Sequence, residues 1–78
     1  MDLSGADLSR CDLSGAPMAG VNLKGACLRG SDCTKANLRS ADLSGADLRD
    51  VKLDGANLHH TKLLGARLDG ATLGGVDG

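Results

Sequence analysis

Ala36-Asn37-Leu38-Arg39-Ser40-Ala41-Asp42-Leu43-Ser44-Gly45 holds one five-residue unit twice: a small residue, Asn or Asp, Leu, and two residues that turn the chain. On either side of it Leu stands at 3, 8, 13, 23, 28, 38, 43, 48, 53, 58, 63, 68 and 73, with Met18 and Cys33 in the two gaps. The unit repeats about fifteen times and accounts for essentially all 78 residues.

A period of five excludes the common regular structures. In an α-helix, residue i+5 lies about 140° round from i, so the leucines form no stripe. In a flat strand, an odd period sends successive leucines to opposite faces. Gly in most units also opposes a long helix. What remains is a chain that turns a corner in every unit. Within Ala41-Asp42-Leu43, the first and third side chains point one way and the second points the other. Ser-Gly then makes the turn, because Gly accepts φ > 0 at little cost. Ala and Leu gather inside a coil, polar residues gather outside, and stacked coils pair their backbones at about 4.8 Å. The fold class is all-β: a β-solenoid in which each coil touches only its neighbours.

The small-residue position gives the number of sides. Alternate units hold Ala at 6, 16, 26, 36, 46, 56 and 66, whereas the others hold Met1, Cys11, Val21, Ser31, Ala41, Val51, Thr61 and Ala71. This tenfold sub-period fits a four-sided coil of 20 residues, with Ala columns on two opposite faces. Three sides would mix both kinds in every column. Charges agree: a spacing of 20 sets Asp32 by Lys52, Asp42 by Lys62, Asp47 by Arg67 and Arg49 by Asp69, against the like pairs Asp12/Asp32 and Arg29/Arg49. Such neighbours are worth a few tenths to about 1 kcal/mol, so they report register rather than hold the fold. The chain is then one domain, 1–78, of about four coils, with a body only ~15 Å long over three inter-coil steps.

Units such as Ala6-Asp7-Leu8-Ser9-Arg10, Ala36-Asn37-Leu38-Arg39-Ser40 and Ala56-Asn57-Leu58-His59-His60 resemble the pentapeptide repeat family, whose consensus is Ala-(Asp/Asn)-Leu-X-X. The resemblance implies a right-handed quadrilateral β-helix. It implies no activity, since most members have no assigned role. The best-understood members inhibit or protect DNA gyrase by presenting a long acidic rod that imitates duplex DNA. This chain departs from that pattern: it is short, carries no Phe and has a net charge of only -1.

Ten acids face nine bases, near +1 in the first half and -2 in the second, so neither nucleic-acid attraction nor strong DNA imitation is expected. No apolar run approaches the ~20 residues that span a membrane; a cytoplasmic location is expected. Repeats run from Met1 to Gly78 without a capping segment. Solenoids normally cap their edge strands. The expectation is therefore either a piece of a longer solenoid or edges buried by end-to-end self-association.

The chemistry-bearing residues and the deviations from the repeat are the candidate sites. Three cysteines form no disulfide framework. Cys11 and Cys33 point inward and read as small apolar residues, whereas Cys27 replaces an outward Asp/Asn and reads as an exposed thiol. His59-His60 is the only pair resembling metal ligands, but adjacent corner residues diverge. Asp2, Asp7, Asp12, Asp32, Asp42 and Asp47 read as turn caps rather than a carboxylate centre. Arg29 and Arg49 share a face, Arg39 lies on the opposite one, and no aromatic residue accompanies them for base stacking. Pro17 suits a sheet edge, and Leu64 is a lone exposed apolar residue. No catalytic, cofactor-binding or metal role is assigned to any residue, and no partner-binding residue is singled out. The expected function is a non-catalytic structural or protein-interaction module that works through flat faces or solenoid ends; the alternative is a DNA-imitating inhibitor or protector of gyrase.

Overall fold

Each unit is a three-residue extended segment and a tight turn, and the turn follows from the backbone. The carbonyl of the inward residue accepts from the amide three residues on, as in Ala26 N–H to Leu23 O at 3.0 Å. The fifth residue of the unit has φ between 57° and 75° in every one of the fifteen turns. Positive φ at the third turn residue alone is the type II pattern, which favours Gly. Five corners nonetheless hold Arg10, Lys35, Ser40, Asp50 and His60 at positive φ. The stack imposes the corner there whatever residue fills it.

The computed structural model describes residues 1–78. Parallel pairing joins each outward residue to the one 20 positions later, from Asp2 with Asn22 to Asn57 with Asp77. The coil therefore has four sides, as the Ala columns require. Coil 1 is 1–20, coil 2 is 21–40, coil 3 is 41–60 and coil 4 is 61–78; faces one to four follow the units that begin at 1, 6, 11 and 16. Three hydrogen bonds join each unit from 1–5 to 51–55 to the one above. Leu3 N–H donates to Asn22 O at 2.7 Å, Asn22 N–H to Met1 O at 3.1 Å, and Gly5 N–H to Lys24 O at 2.9 Å. The molecule is a squat block of 27 × 22 × 21 Å rather than a rod.

The core differs from coil to coil. In coils 2 and 3 nearly every inward side chain is sealed, with Leu23, Leu28, Leu43, Leu48 and Leu53 at 1% exposure or less. In coils 1 and 4 the inward Leu, Ala and Met are only partly covered, and Leu73 is 44% exposed. Not every ladder leucine is buried, because an outer coil has a neighbour on one side only. Ser31 is the one buried polar residue; its Oγ lies 3.7 Å from Cys33 Sγ. The inward Thr61 hydroxyl donates to Leu38 O at 2.8 Å.

Corner side chains reach up onto the next coil. A Cβ added at Gly30 would lie 3.4 Å from Arg10 Cγ, and one at Gly55 would lie 3.2 Å from Lys35 Cγ. At Gly70 it would collide with the Asp50 carboxylate. Gly at these three corners answers both the positive φ and the side chain beneath.

Candidate functional site

The outward aspartates and asparagines have a local task. In nine units the Oδ1 of the second residue accepts from the amide of the fourth at 3.0–3.2 Å, as in Asp2 with Ser4, Asn37 with Arg39 and Asp42 with Ser44. Where the fourth residue is Ser or Thr, its hydroxyl can add a second bond, 2.7 Å from Ser9 to Asp7 and 2.6 Å from Thr34 to Asp32. These hydroxyls, and then the amides, hold Asp2, Asp7, Asp12, Asp32 and Asp42 below the usual carboxylate range. Asp47 lies lower still, because Arg49 grips it with bonds of 2.8 and 2.6 Å. These carboxylates are anionic turn caps, not proton donors.

The spacing-of-20 charge pairs are neighbours in the ladder, yet none closes into an ion pair. The carboxylates pair instead with Arg49 on Asp47 at 2.6 Å, Arg67 on Asp69 at 3.2 Å, Lys24 on Asp42 at 4.0 Å and His59 on Asp77 at 3.4 Å. Arg49 thus turns to Asp47 rather than to Asp69. Arg49 and Arg67 meet the carboxylate across their own turn, whereas Lys24 and His59 reach the one 18 residues on, in the next coil. The ladder still acts at longer range, since Lys52 lowers Asp32 and Lys62 lowers Asp42.

The remaining candidates stay apart. The rings of His59 and His60 lie 6.3 Å apart at 54°, and no three metal-capable side chains converge anywhere. Pro17 sits in coil 1, where the second-residue amide faces away from coil 2, so its missing N–H removes no ladder bond. Cys33 is buried, and burial pushes its thiol up, which makes it inert. Cys11 and Cys27 are half-buried, so Cys27 is less exposed than its outward position implies. No helix is long and apolar enough to cross a membrane. Leu64 projects into solvent at 87% exposure.

One concavity exists, an open cleft of ≈ 390 Å³ on face two between coils 1 and 2. Asp7, Ser9, Arg10, Cys27 and Arg29 line it with the corner glycines Gly5 and Gly25. Cys27 is legible as a deviation in the repeat and Arg29 as an outward basic residue. Arg10 was not singled out; the signal was a basic corner residue 19 places before another basic residue, which the 20-residue coil sets side by side.

The family profile described as pentapeptide repeats matches the chain in eight copies, over residues 2–32, 18–55, 31–70 and 52–77. No significant match arises among curated proteins by sequence. Among solved structures, a pentapeptide repeat protein from the thylakoid lumen of Arabidopsis thaliana superposes with TM-score 0.88 at 37% identity, over 96% of this chain and 56% of its own. A pentapeptide repeat protein from Nostoc gives TM-score 0.70 at 42% identity, over 92% and 60%. One from Cyanothece gives 0.63 at 33%, over 92% and 53%. The chain spans a little over half the length of these neighbours. The proteins of this group form right-handed quadrilateral β-helices, so the hand expected from the repeat applies here as well.

Proposed function

This chain belongs to the pentapeptide repeat family, and on that premise we propose that it is a non-catalytic module that docks a protein through its flat outer faces. One observation carries the reading. The outward residues form columns at fixed spacing, held by turn caps and inter-coil bonds, over a core filled with Leu and Ala. Such a grid offers a preordered surface with little side-chain entropy to lose on binding. The one cleft is open, and Asp2, Asp7, Asp12, Asp32, Asp42 and Asp47 are committed to turns. The incompletely covered leucines of coils 1 and 4 make the two ends a second docking surface in this proposal, including for a further copy of the chain. A cytoplasmic location remains part of it.

The test is photo-crosslinking from a probe placed on each face in turn, in the native cell, followed by reconstitution with the captured protein. Crosslinks to one protein from one face, abolished by charge reversal on that face, support the reading. Equal, scattered labelling from all four faces overturns it. A supercoiling assay with gyrase checks the DNA-imitating alternative, which the near-neutral, mixed-sign surface does not favour; inhibition at low micromolar concentration would promote it. Sedimentation at high concentration tests the ends, and a sharp monomer would remove them from the proposal.

A further inference from the structure

In nine units a side-chain oxygen faces the amide of the fourth residue. Cys27 supplies no such oxygen, and the Arg29 N–H donates no hydrogen bond within the protein. Other units also lack the cap, but only this one combines the lack with a concave surface. Two arginines line the cleft, Arg10 and Arg29, and the charge of Arg29 also lowers Asp47 of the next coil at range. Neither enters an ion pair, the basic partners in the molecule being Lys24, Arg49, His59 and Arg67. Arg10 is steered there by its corner: its backbone N–H donates to Arg29 O at 2.9 Å, and its side chain runs over Gly30. One carboxylate, Asp7, shares the cleft, with Oδ1 turned to the Ser9 amide at 3.1 Å and the Ser9 hydroxyl at 2.7 Å. The two arginines outnumber it, and the cleft has a net charge of +1.

We propose that this cleft binds a phosphate monoester. Two guanidinium forks and the Arg29 N–H form three donor groups, which match the three terminal oxygens of a phosphate; a carboxylate has two oxygens and one charge. One phosphate oxygen accepts from the Arg29 N–H, the donor that Asp or Asn Oδ1 caps in the sibling units. The volume of ≈ 390 Å³ admits a phosphate on a small organic group. The inference goes beyond face docking and does not need it, since the site is complete within this chain.

The test uses amide NMR of the whole chain with O-phosphoserine, inorganic phosphate and acetate as probes. The expected result is a saturable shift of the Arg29 amide with O-phosphoserine in the millimolar range. Inorganic phosphate binds within a few-fold of this, and acetate at least about 10-fold more weakly. Cys27→Asp is the decisive variant. It installs the oxygen and charge that sibling units carry, so it keeps the fold while filling the phosphate position and abolishing saturation. Arg10→Ala weakens binding by about 10-fold, and Cys27→Ala leaves it within about 2-fold. A chain whose Arg29 amide does not saturate overturns the proposal. So does one that binds acetate as well as phosphate, or one whose binding survives Cys27→Asp with an intact circular-dichroism spectrum.

Discussion

Coils 2 and 3 and coils 1 and 4 are built from the same unit but do not bury it equally. Leu43 in coil 3 is 1% exposed, whereas Leu73 in coil 4 is 44% exposed, although both are the inward leucine of their unit. The inner coils have a layer of side chains and a backbone ladder on both sides; the outer coils have them on one. Place in the stack, not local sequence, sets how much a leucine contributes, as nearest-neighbour stability in a solenoid requires.

The largest expected effect breaks this comparison outright. Leu43→Asp places a charge in the sealed core and abolishes folding, whereas Leu73→Asp leaves the far-ultraviolet circular-dichroism spectrum β-like. Equal loss from both would show that the inner and outer coils do not differ as described. A gentler pair follows: Leu48→Ala costs about 2–5 kcal/mol in urea unfolding, and Leu68→Ala costs less because its site is already half-open.

Corners sharpen the contrast at smaller magnitude. Gly45→Ala meets nothing within 4 Å and costs about 1–2 kcal/mol from its positive φ alone. Gly70→Ala has a similar φ and collides with Asp50 as well, so it costs more, and Asp50→Gly recovers the excess. Additive melting shifts in that double variant would refute the stacking of Asp50 on Gly70.

Acid separates coil 1 from coil 4. The capped aspartates of coils 1 to 3 have pKa values lowered on folding, so their stabilisation is fully present above the unfolded value of about 3.9 and is lost as pH falls through the lower folded values. Coil 4 carries Lys62, Arg67 and Thr72 at the capping position. Below pH 4, hydrogen exchange is therefore expected to speed first at the Ser4, Ser9 and Ser14 amides. The smallest effect belongs to Arg39→Ala. Arg39 contributes its backbone N–H to Asn37, so stability changes by no more than about 0.5 kcal/mol.

The four-sided coil was legible because a spacing of 20 keeps Ala6, Ala26, Ala46 and Ala66 in one column, whereas three sides would mix them with the bulkier residues. The caps were legible because Asp or Asn precedes the inward Leu so often. Unequal burial was not, since Leu23 and Leu63 hold the same inward position of their units. The charges gave the register, since Asp32 pairs with Lys52 and Asp42 with Lys62 in the ladder; which carboxylate a long side chain reaches was not legible, as with Arg49 on Asp47. Cys27 and Arg29 stood out in the sequence, but the cleft also needs Arg10, whose place beside Arg29 exists only once the coil closes.

The corner column Arg10, Gly30, Asp50, Gly70 bears on how such a chain can lengthen. A long residue at one corner occupies the space above the corner 20 residues later, so the choice at one position restricts the alphabet a full turn away. Copying coil 1 directly after itself would set Arg upon Arg; copying coils 1 and 2 together would preserve the alternation. Along this edge the smallest segment that can be inherited in tandem is two coils rather than five residues, even though five residues are what the eye first sees repeated.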